Sequence, residues 1–282
     1  MKKRINQNSK KSNVRGVRST KKPIRGSKGR FSKESRSDKP IFSADNDMVR
    51  LNKYIANAGI CSRREADELI RSGLIRVNDK IVTSLGTKVS PEDKVQYDKK
   101  ILRPEKKYYV LLNKPKGFIT TTDDPFERKT VMNLVQKACK ERIYPVGRLD
   151  KNTTGLLLFT NDGELAKRLT HPRHNIEKIY HVVLDKNLKK IDFEKIIRGF
   201  ELEDGFIKAD KLAYVNGGEH KNEIGIEMHS GRNRIVRRIF EALDYKVVKL
   251  DRVSFAGLTK KDIPRGKWRY LTPKEVNYLK MK

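Results

Sequence analysis

The first 47 residues contain almost nothing that a fold could bury. They run through Lys, Arg, Ser, Asn and Gly, and their apolar residues are sparse. Such a segment cannot offset its ordering entropy with apolar burial, so residues 1–47 are expected to form a disordered basic tail. Folding is thereby confined to the rest of the 282-residue chain, which has room for one large or two ordinary domains.

Charge narrows the partners. The chain carries a net charge of +30. Residues 1–40 hold 15 basic side chains against Glu34 and Asp38, so more than half of the excess lies outside the tail. A basic folded region seeks a polyanion, because neutralising phosphates releases condensed counterions. The tail then reads as a non-specific RNA-binding arm rather than a merely solvated one. Anionic membrane is the competing partner, but no apolar run is long enough to span a bilayer and no basic amphipathic anchor helix stands out. Cys61 and Cys139 are too few for a disulfide framework or a zinc quartet, as a reducing cytoplasm would have it. The N-terminus lacks the apolar core of a secretory signal. Its basic, Ser-rich composition would suit a transit peptide, but its apolar residues are too sparse for an amphipathic helix. A cytoplasmic monomer is expected.

Residues 48–97 change character. Leu51, Tyr54, Ile55 and Ala58 have helical spacing, with Gly59 suited to the C-terminus. Ser62-Arg63-Arg64-Glu65 has capping-box spacing ahead of a stripe of Ala66, Leu69 and Ile70, ended by Gly73. Leu74–Val77 and Lys80–Val82 read as strands around an Asn78-Asp79 turn. Arg50, Lys53, Arg63, Arg64, Arg71 and Arg76 crowd onto this small unit. One such charge is ordinarily solvated; their density favours phosphate contact. The stretch Arg50-Leu-Asn-Lys-Tyr-Ile-Ala-Asn-Ala-Gly-Ile-Cys-Ser-Arg-Arg-Glu-Ala, followed by Ile75-Arg-Val-Asn-Asp-Lys, resembles the RNA-binding module named after ribosomal protein S-four. The resemblance implies a two-helix face that grips structured RNA by shape and backbone.

Residues 98–106 read as a linker, and 107–282 as a second domain. Tyr108–Leu112, Gly155–Thr160, Ile179–Leu184, Ile207–Val215 and Glu223–Met228 have strand patterns. Gly163–Leu169 and Asn233–Leu243 have helix patterns, the second with Val236, Ile239, Phe240 and Leu243 on one stripe. Thr272-Pro273-Lys274-Glu275 reads as a helix start with Pro at the first position. Runs of strands with few helices give an α+β class with a mixed or antiparallel sheet, following a small S-four-like α/β domain.

The loop Gly147-Arg148-Leu149-Asp150-Lys151-Asn152-Thr153-Thr154-Gly155 separates an apolar segment ending at Val146 from the strand Leu156–Phe159. A lone Asp there is ordinarily a turn former. In context it closely resembles the active-site motif of pseudouridine synthases. Tyr109-Val-Leu-Leu-Asn-Lys-Pro-Lys-Gly, Thr160-Asn-Asp-Gly-Glu-Leu-Ala, Lys178-Ile-Tyr180 and His229-Ser-Gly-Arg-Asn-Arg-Ile-Val-Arg-Arg-Ile-Phe-Glu-Ala-Leu match further motifs of that family in order. With the N-terminal module, they resemble the branch that modifies ribosomal RNA.

The resemblance implies three catalytic residues. Asp150 would be the essential carboxylate, able to attack a carbon or to take a proton from the sugar. Arg237 would be its cationic neighbour, since Val236 and Ile239 face the core and leave Arg237 at the helix edge, pointing into a cleft. Tyr180 would stack on the target uracil. Arg148 would fill the space left by a flipped nucleotide, flipping being required because C1′ and C5 are not reachable together in a stacked helix. Lys114 would contact RNA or support the catalytic loop. Ile235 stands where relatives commonly carry Gln, which removes a possible hydrogen bond near Arg237. No atom is gained in the isomerisation of uridine, and the chain has no P-loop or dinucleotide fingerprint, so no cofactor is expected. His171 and His174 lack a third ligand at a recognisable spacing, so no metal site is expected. Trp268 is either a base-stacking platform or a packing anchor.

The expected reaction is isomerisation of one uridine in ribosomal RNA. Arg142-Ile-Tyr-Pro-Val-Gly and the long basic arm resemble the large-subunit type more than the small-subunit type. A non-catalytic ribosome-assembly factor would explain the charge but not Asp150, Tyr180 and Arg237. A nucleoside hydrolase would release free uracil.

Overall fold

The structure, a computed structural model, describes residues 48–282. The tail and arm expected over 1–47 lie outside the described residues. The N-terminal region holds β1 (Val49–Arg50), α1 (Leu51–Asn57), α2 (Arg63–Arg71), β2 (Ile75–Val77), β3 (Lys80–Ile81), β4 (Lys88–Val89), β5 (Val95–Tyr97) and β6 (Lys100–Ile101). Ser62 and Glu65 form the capping box in full: Glu65 N–H donates to the Ser62 hydroxyl, and Ser62 N–H to the Glu65 carboxylate. Asn78 and Asp79, both at positive φ, turn β2 back onto β3. Leu51, Ile55, Ala66, Ile70, Ile75, Val89 and Val95 close a small core of their own. Residues 98–106 are not free-hanging: the Tyr54 hydroxyl donates to Leu102 O at 3.1 Å, and Glu105 N–H to Asn57 O at 2.9 Å.

The remainder is built on one large sheet. Its elements are β7 (Tyr109–Lys114), α3 (Met132–Val135), β8 (Tyr144–Pro145), β9 (Thr154–Thr160), α4 (Gly163–Thr170), β10 (Lys178–Leu184), α5 (Lys190–Arg198), β11 (Phe200–Leu202), β12 (Gly205–Ile207), β13 (Lys211–Tyr214), β14 (Glu223–Met228), α6 (Ile235–Glu241), β15 (Val247–Phe255), β16 (Leu258–Thr259), β17 (Trp268–Tyr270) and α7 (Pro273–Met281). The strand order is β13-β14-β10-β15-β9-β7-β17. Every pair along it is antiparallel except β15 with β9, so the sheet is mixed.

Burial follows from this arrangement. β7 and β9 are covered on both faces and read as continuous apolar runs. β14 buries Ile224, Ile226 and Met228 on one face only, the period of two that its sequence shows. α6 lays Val236, Ile239 and Phe240 against the core formed by β10, β14 and α5.

Two expected elements change. The strand expected over Ile207–Val215 is two strands, because the chain leaves its hairpin with β11 and joins β14 only from Lys211 onward. The helix expected over Asn233–Leu243 is shorter, since Arg234 at its N-terminus adopts a left-handed conformation (φ 47°). β15 and α5 match no element of the sequence reading. β15 is the central strand, and charged residues at its midpoint, Asp251 and Arg252, are buried. Trp268 is a packing anchor: it packs against the core over β7 and β9 and meets Tyr270 edge-on.

Candidate active site

The loop before β9 lies where the sheet switches to its one parallel pairing along the strand order. Gly155 is obligatory there. It has φ +105°, and a Cβ on it would fall 2.2 Å from the carbonyl oxygen of Arg252 on β15. Only glycine allows both that dihedral and that approach. Thr154, its neighbour, donates to the Asp251 carboxylate at 2.7 Å, and Asp251 is held in turn by Arg265 at 3.0 Å and by Lys260. Asp251 is buried, yet its carboxyl is held below the ordinary carboxylate range by these donors.

The loop is gripped from beneath. Lys114, at the end of β7, is 0% exposed. Its ammonium donates to the carbonyl oxygens of Thr153 (2.8 Å), Asp150 (3.0 Å), Pro115 (3.3 Å) and Lys151 (3.4 Å). Thr120 holds the preceding carbonyl, its hydroxyl donating to Leu149 O at 2.7 Å. Of the two roles expected for Lys114, contact with RNA is therefore excluded by burial, and support of the loop is what the geometry displays. Burial pushes the Lys114 ammonium down to about 8, partly offset by the Asp150 charge.

Above this base the Asp150 side chain reaches an open cleft. One carboxylate oxygen, Oδ2, lies 3.8 Å from Arg237 Nε and 3.6 Å from an Arg234 guanidinium nitrogen. These are ion-pair distances, too long for hydrogen bonds. Arg237 is not the edge residue expected. It is buried, because Ile235 as well as Val236 packs inward at the start of α6, and its guanidinium donates to Val247 O at 3.0 Å. Burial and the neighbouring Arg234 disfavour its charge, and Asp150 compensates in part. Arg234 escaped the sequence reading. Its left-handed backbone, unusual for a non-glycine residue, aims it at Asp150, and nothing in the sequence marks that dihedral.

The cleft is lined by Arg148, Asp150, Tyr180, Arg234, Ile235 and Arg252, among others. Arg148 is exposed at its mouth. Tyr180 stands on β10 at a register shift between Ile179 and Tyr180, packed between the two apolar clusters on either side. Ile235 presents an apolar side chain to the cleft, so no hydrogen bond is available there. Asp150, Tyr180 and Arg148 thus line one cleft, and Arg237 stands behind Asp150 at ion-pair distance, outside the lining. Arg50, Arg63, Arg64 and Arg71 lie elsewhere, exposed on the N-terminal region. Lys53, expected among them, is ion-paired with Glu164 of α4. Among the described residues no cluster of three metal-ligating side chains occurs, and no helix is long and apolar enough to cross a membrane.

What can this arrangement do? A carboxylate on a rigid loop, flanked by two guanidinium groups, stays available as a nucleophile or base without being locked by short hydrogen bonds. An aromatic side chain in the same cleft offers a flat face to a planar ring. Exposed cations at the rim suit a phosphate backbone.

Comparison with known proteins gives this geometry a context. A family model described as RNA pseudouridylate synthase matches residues 108–242, and an S4 domain model matches residues 49–95. A Bacillus subtilis protein named ribosomal large subunit pseudouridine synthase B is 42% identical over 235 residues, covering 83% of this chain and 96% of that protein. An RNA pseudouridine synthase of Aquifex aeolicus, described as uncharacterized, is 41% identical, covering 82% of this chain and 93% of that one. A crystal structure of a pseudouridylate synthase aligns with a TM-score of 0.59 at 31% identity, covering 82% of this chain and 99% of the solved one.

Proposed function

The chain belongs to the RNA pseudouridine synthases, and from that premise we propose that it isomerises a uridine of large-subunit ribosomal RNA, with Asp150 as the reacting group. The observation that carries the role of Asp150 is its placement: a carboxylate on a fixed loop, 3.8 Å from a buried guanidinium and in one cleft with Tyr180. The choice of large-subunit RNA is supported by relatives named for that activity, at 42% identity in Bacillus subtilis and 38% in Vibrio vulnificus.

The chemistry assigns work to each group. The flipped uridine places its base against Tyr180 and its ribose toward Asp150. Asp150 attacks carbon or removes a sugar proton, and the bond from N1 to C1′ breaks. The uracil turns on the aromatic face and rejoins C1′ through C5, displacing Asp150 from the carbon or with the sugar proton returned by it. The C5 proton leaves and N1 gains one, so the product is an isomer. Arg237 and Arg234 flank the Asp150 carboxylate at ion-pair distance, while Lys114 and Thr120 hold its backbone in place. Arg148 occupies the gap left in the RNA. Residues 48–97, with Arg50, Arg63, Arg64 and Arg71 exposed, grip the surrounding RNA, and 107–282 carry out the reaction.

Asp150→Asn keeps shape and removes the reacting charge. It is expected to bind ribosomal RNA as the wild type does and to form no pseudouridine. Tritium release from C5-labelled uridine in transcribed ribosomal RNA measures this; full release by the variant would refute the role of Asp150.

A further inference from the structure

Three buried side-chain polar atoms lack a hydrogen-bond partner among the described residues: Thr153 Oγ1, Arg237 Nε and Arg252 Nη2. Buried polar atoms are nearly always paired, so each orphan calls for an explanation. Thr153 belongs to the catalytic loop and Arg237 faces Asp150. Arg252 has no role in the reaction as described so far. It is 3% exposed, in the middle of the central strand. Its Nε donates to Leu156 O at 2.8 Å and its guanidinium lies over the Phe255 ring at 4.6 Å. It takes part in no ion pair among the described residues. Across the antiparallel ladder its register partner is Tyr180, and the Tyr180 phenol favours its charged form against strong desolvation.

A second, half-buried cation stands close by. Lys178, two residues from Tyr180 on the same strand, lines the same cleft. Its ammonium donates to Ile176 O and His229 O, both at 2.8 Å, which leaves one N–H. Its charge is opposed by burial and by Arg252. Asp210, the acid that favours its charge, is itself hydrogen-bonded to His229 at 2.6 Å. The Tyr180 side of the cleft therefore has two desolvated cations and no ion-paired anion, a costly arrangement for a resting fold.

We propose that Arg252, assisted by Lys178, forms the leaving-group side of the active site and takes up the negative charge that develops on uracil as its bond to C1′ breaks. The proposal rests on the isomerase reading. The charge balance holds on either course open to Asp150. If the carboxylate attacks C1′, its negative charge is consumed in an ester and the N1–C1′ electron pair departs with uracil. If it removes a sugar proton, it becomes a neutral acid and the same pair departs. In both cases uracil leaves as an anion delocalised over its ring and O2 and O4, beside Tyr180. When C5 bonds to C1′, the ester bond breaks or the acid returns its proton to the sugar, so the negative charge passes back to Asp150; C5 then loses its proton and N1 takes one up. A preorganised, buried donor with an unused N–H is matched to a charge present only in mid-reaction.

The test compares Arg252→Met, Arg252→Lys, Lys178→Met and wild type on in-vitro transcribed large- and small-subunit ribosomal RNA made with uridine or with 5-fluorouridine. Single-turnover formation of C-glycosides is followed by nucleoside digestion and mass spectrometry. Fluorine stabilises the departing anion, so a variant lacking the stabilising cation should be partly rescued. Arg252→Met is expected to slow the uridine reaction by about 10²–10³-fold, to recover at least tenfold of that loss on 5-fluorouridine, and to melt no lower than wild type, since an unpaired buried charge is removed. Lys178→Met should lose less, with the same direction of rescue, and Arg252→Lys should fall between Arg252→Met and wild type. Equal slowing on both RNAs, unchanged activity, or a collapse of the Arg252→Met fold would overturn the proposal while leaving the isomerase reading standing. Wild-type protein that forms no C-glycoside in either RNA would overturn that reading and the proposal with it.

Discussion

Lys114 acts on Asp150 by holding the backbone on which it is carried. Four carbonyl oxygens converge on one buried ammonium, much as they would on a metal ion. Lys114→Met keeps the volume and removes every one of these bonds. Unsatisfied buried carbonyls cost about 1–3 kcal/mol in total stability even after relaxation, and a loosened loop should lower turnover by about 10²-fold with RNA affinity unchanged. The pH dependence identifies the cause. The folded protein holds this ammonium at about 8, against 10.5 for an ordinary lysine, so the unfolded chain binds the extra proton between those values. Stability therefore rises with pH across that window, and the Lys114 contribution to the rise is absent from the variant. Denaturant unfolding of both proteins at pH 8 and pH 10 measures it; equal gains would refute the assignment. The identity of Lys114 was legible from its motif, but its burial was not. A lysine in Asn-Lys-Pro-Lys reads as a surface charge until the loop that covers it is placed by the fold.

At the scale of elements, α7 shows how local signals fix an end of the fold. Thr272 and Glu275 form a capping box, and Glu275 also takes two hydrogen bonds from Arg269 at 2.8 and 2.7 Å. These donors hold the Glu275 carboxyl down at about 2. Its contribution is present above the ordinary glutamate value of 4.5 and is lost as pH falls from there toward 2. Glu275→Gln preserves the cap but not the charge. It is expected to cost about 1 kcal/mol at pH 7, discounted because the side chain is a quarter exposed, and the difference from wild type should vanish near pH 2, as thermal unfolding at both pH values would show. Elements of this kind, with caps and clear periods, are readable from residues alone: α2, α7, β9 and β14 all follow their patterns. β15 did not, because Lys249, Asp251 and Arg252 interrupt its apolar run. Asp251 is buried only because Thr154, Arg265 and Lys260 converge on it from distant parts of the chain. Arg252 lies beside Tyr180 only because two strands distant in the sequence pair there. Burial of charge at the centre of a strand is a decision of the tertiary structure, and here it fell beside the candidate active site.

Across the whole molecule the positive charge is divided between tasks. Several cations near the cleft are buried or paired, Lys114 with carbonyls, Arg237 with Asp150 and Arg238 with Asp204 at 2.8 Å, while Arg148 at its mouth is exposed. Those on α2 are exposed, and among the described residues Arg63, Arg64 and Arg71 enter no ion pair, which leaves them free for phosphate. Lys53, on the adjoining helix, instead meets Glu164 of α4. If α2 supplies phosphate contacts and the cleft supplies chemistry, the two can be separated. Arg63→Gln, Arg64→Gln and Arg71→Gln combined should weaken binding of ribosomal RNA and flatten its dependence on salt by about 2–3 in the log–log slope, roughly one per lost contact. The rate at saturating RNA should stay within about twofold of wild type, because none of the three residues lines the cleft. Binding titrations at several salt concentrations, paired with single-turnover rates at saturating RNA, decide between this division and a shared surface. A drop in the saturating rate as large as the loss of affinity would mean that the N-terminal region helps to assemble the reacting geometry itself.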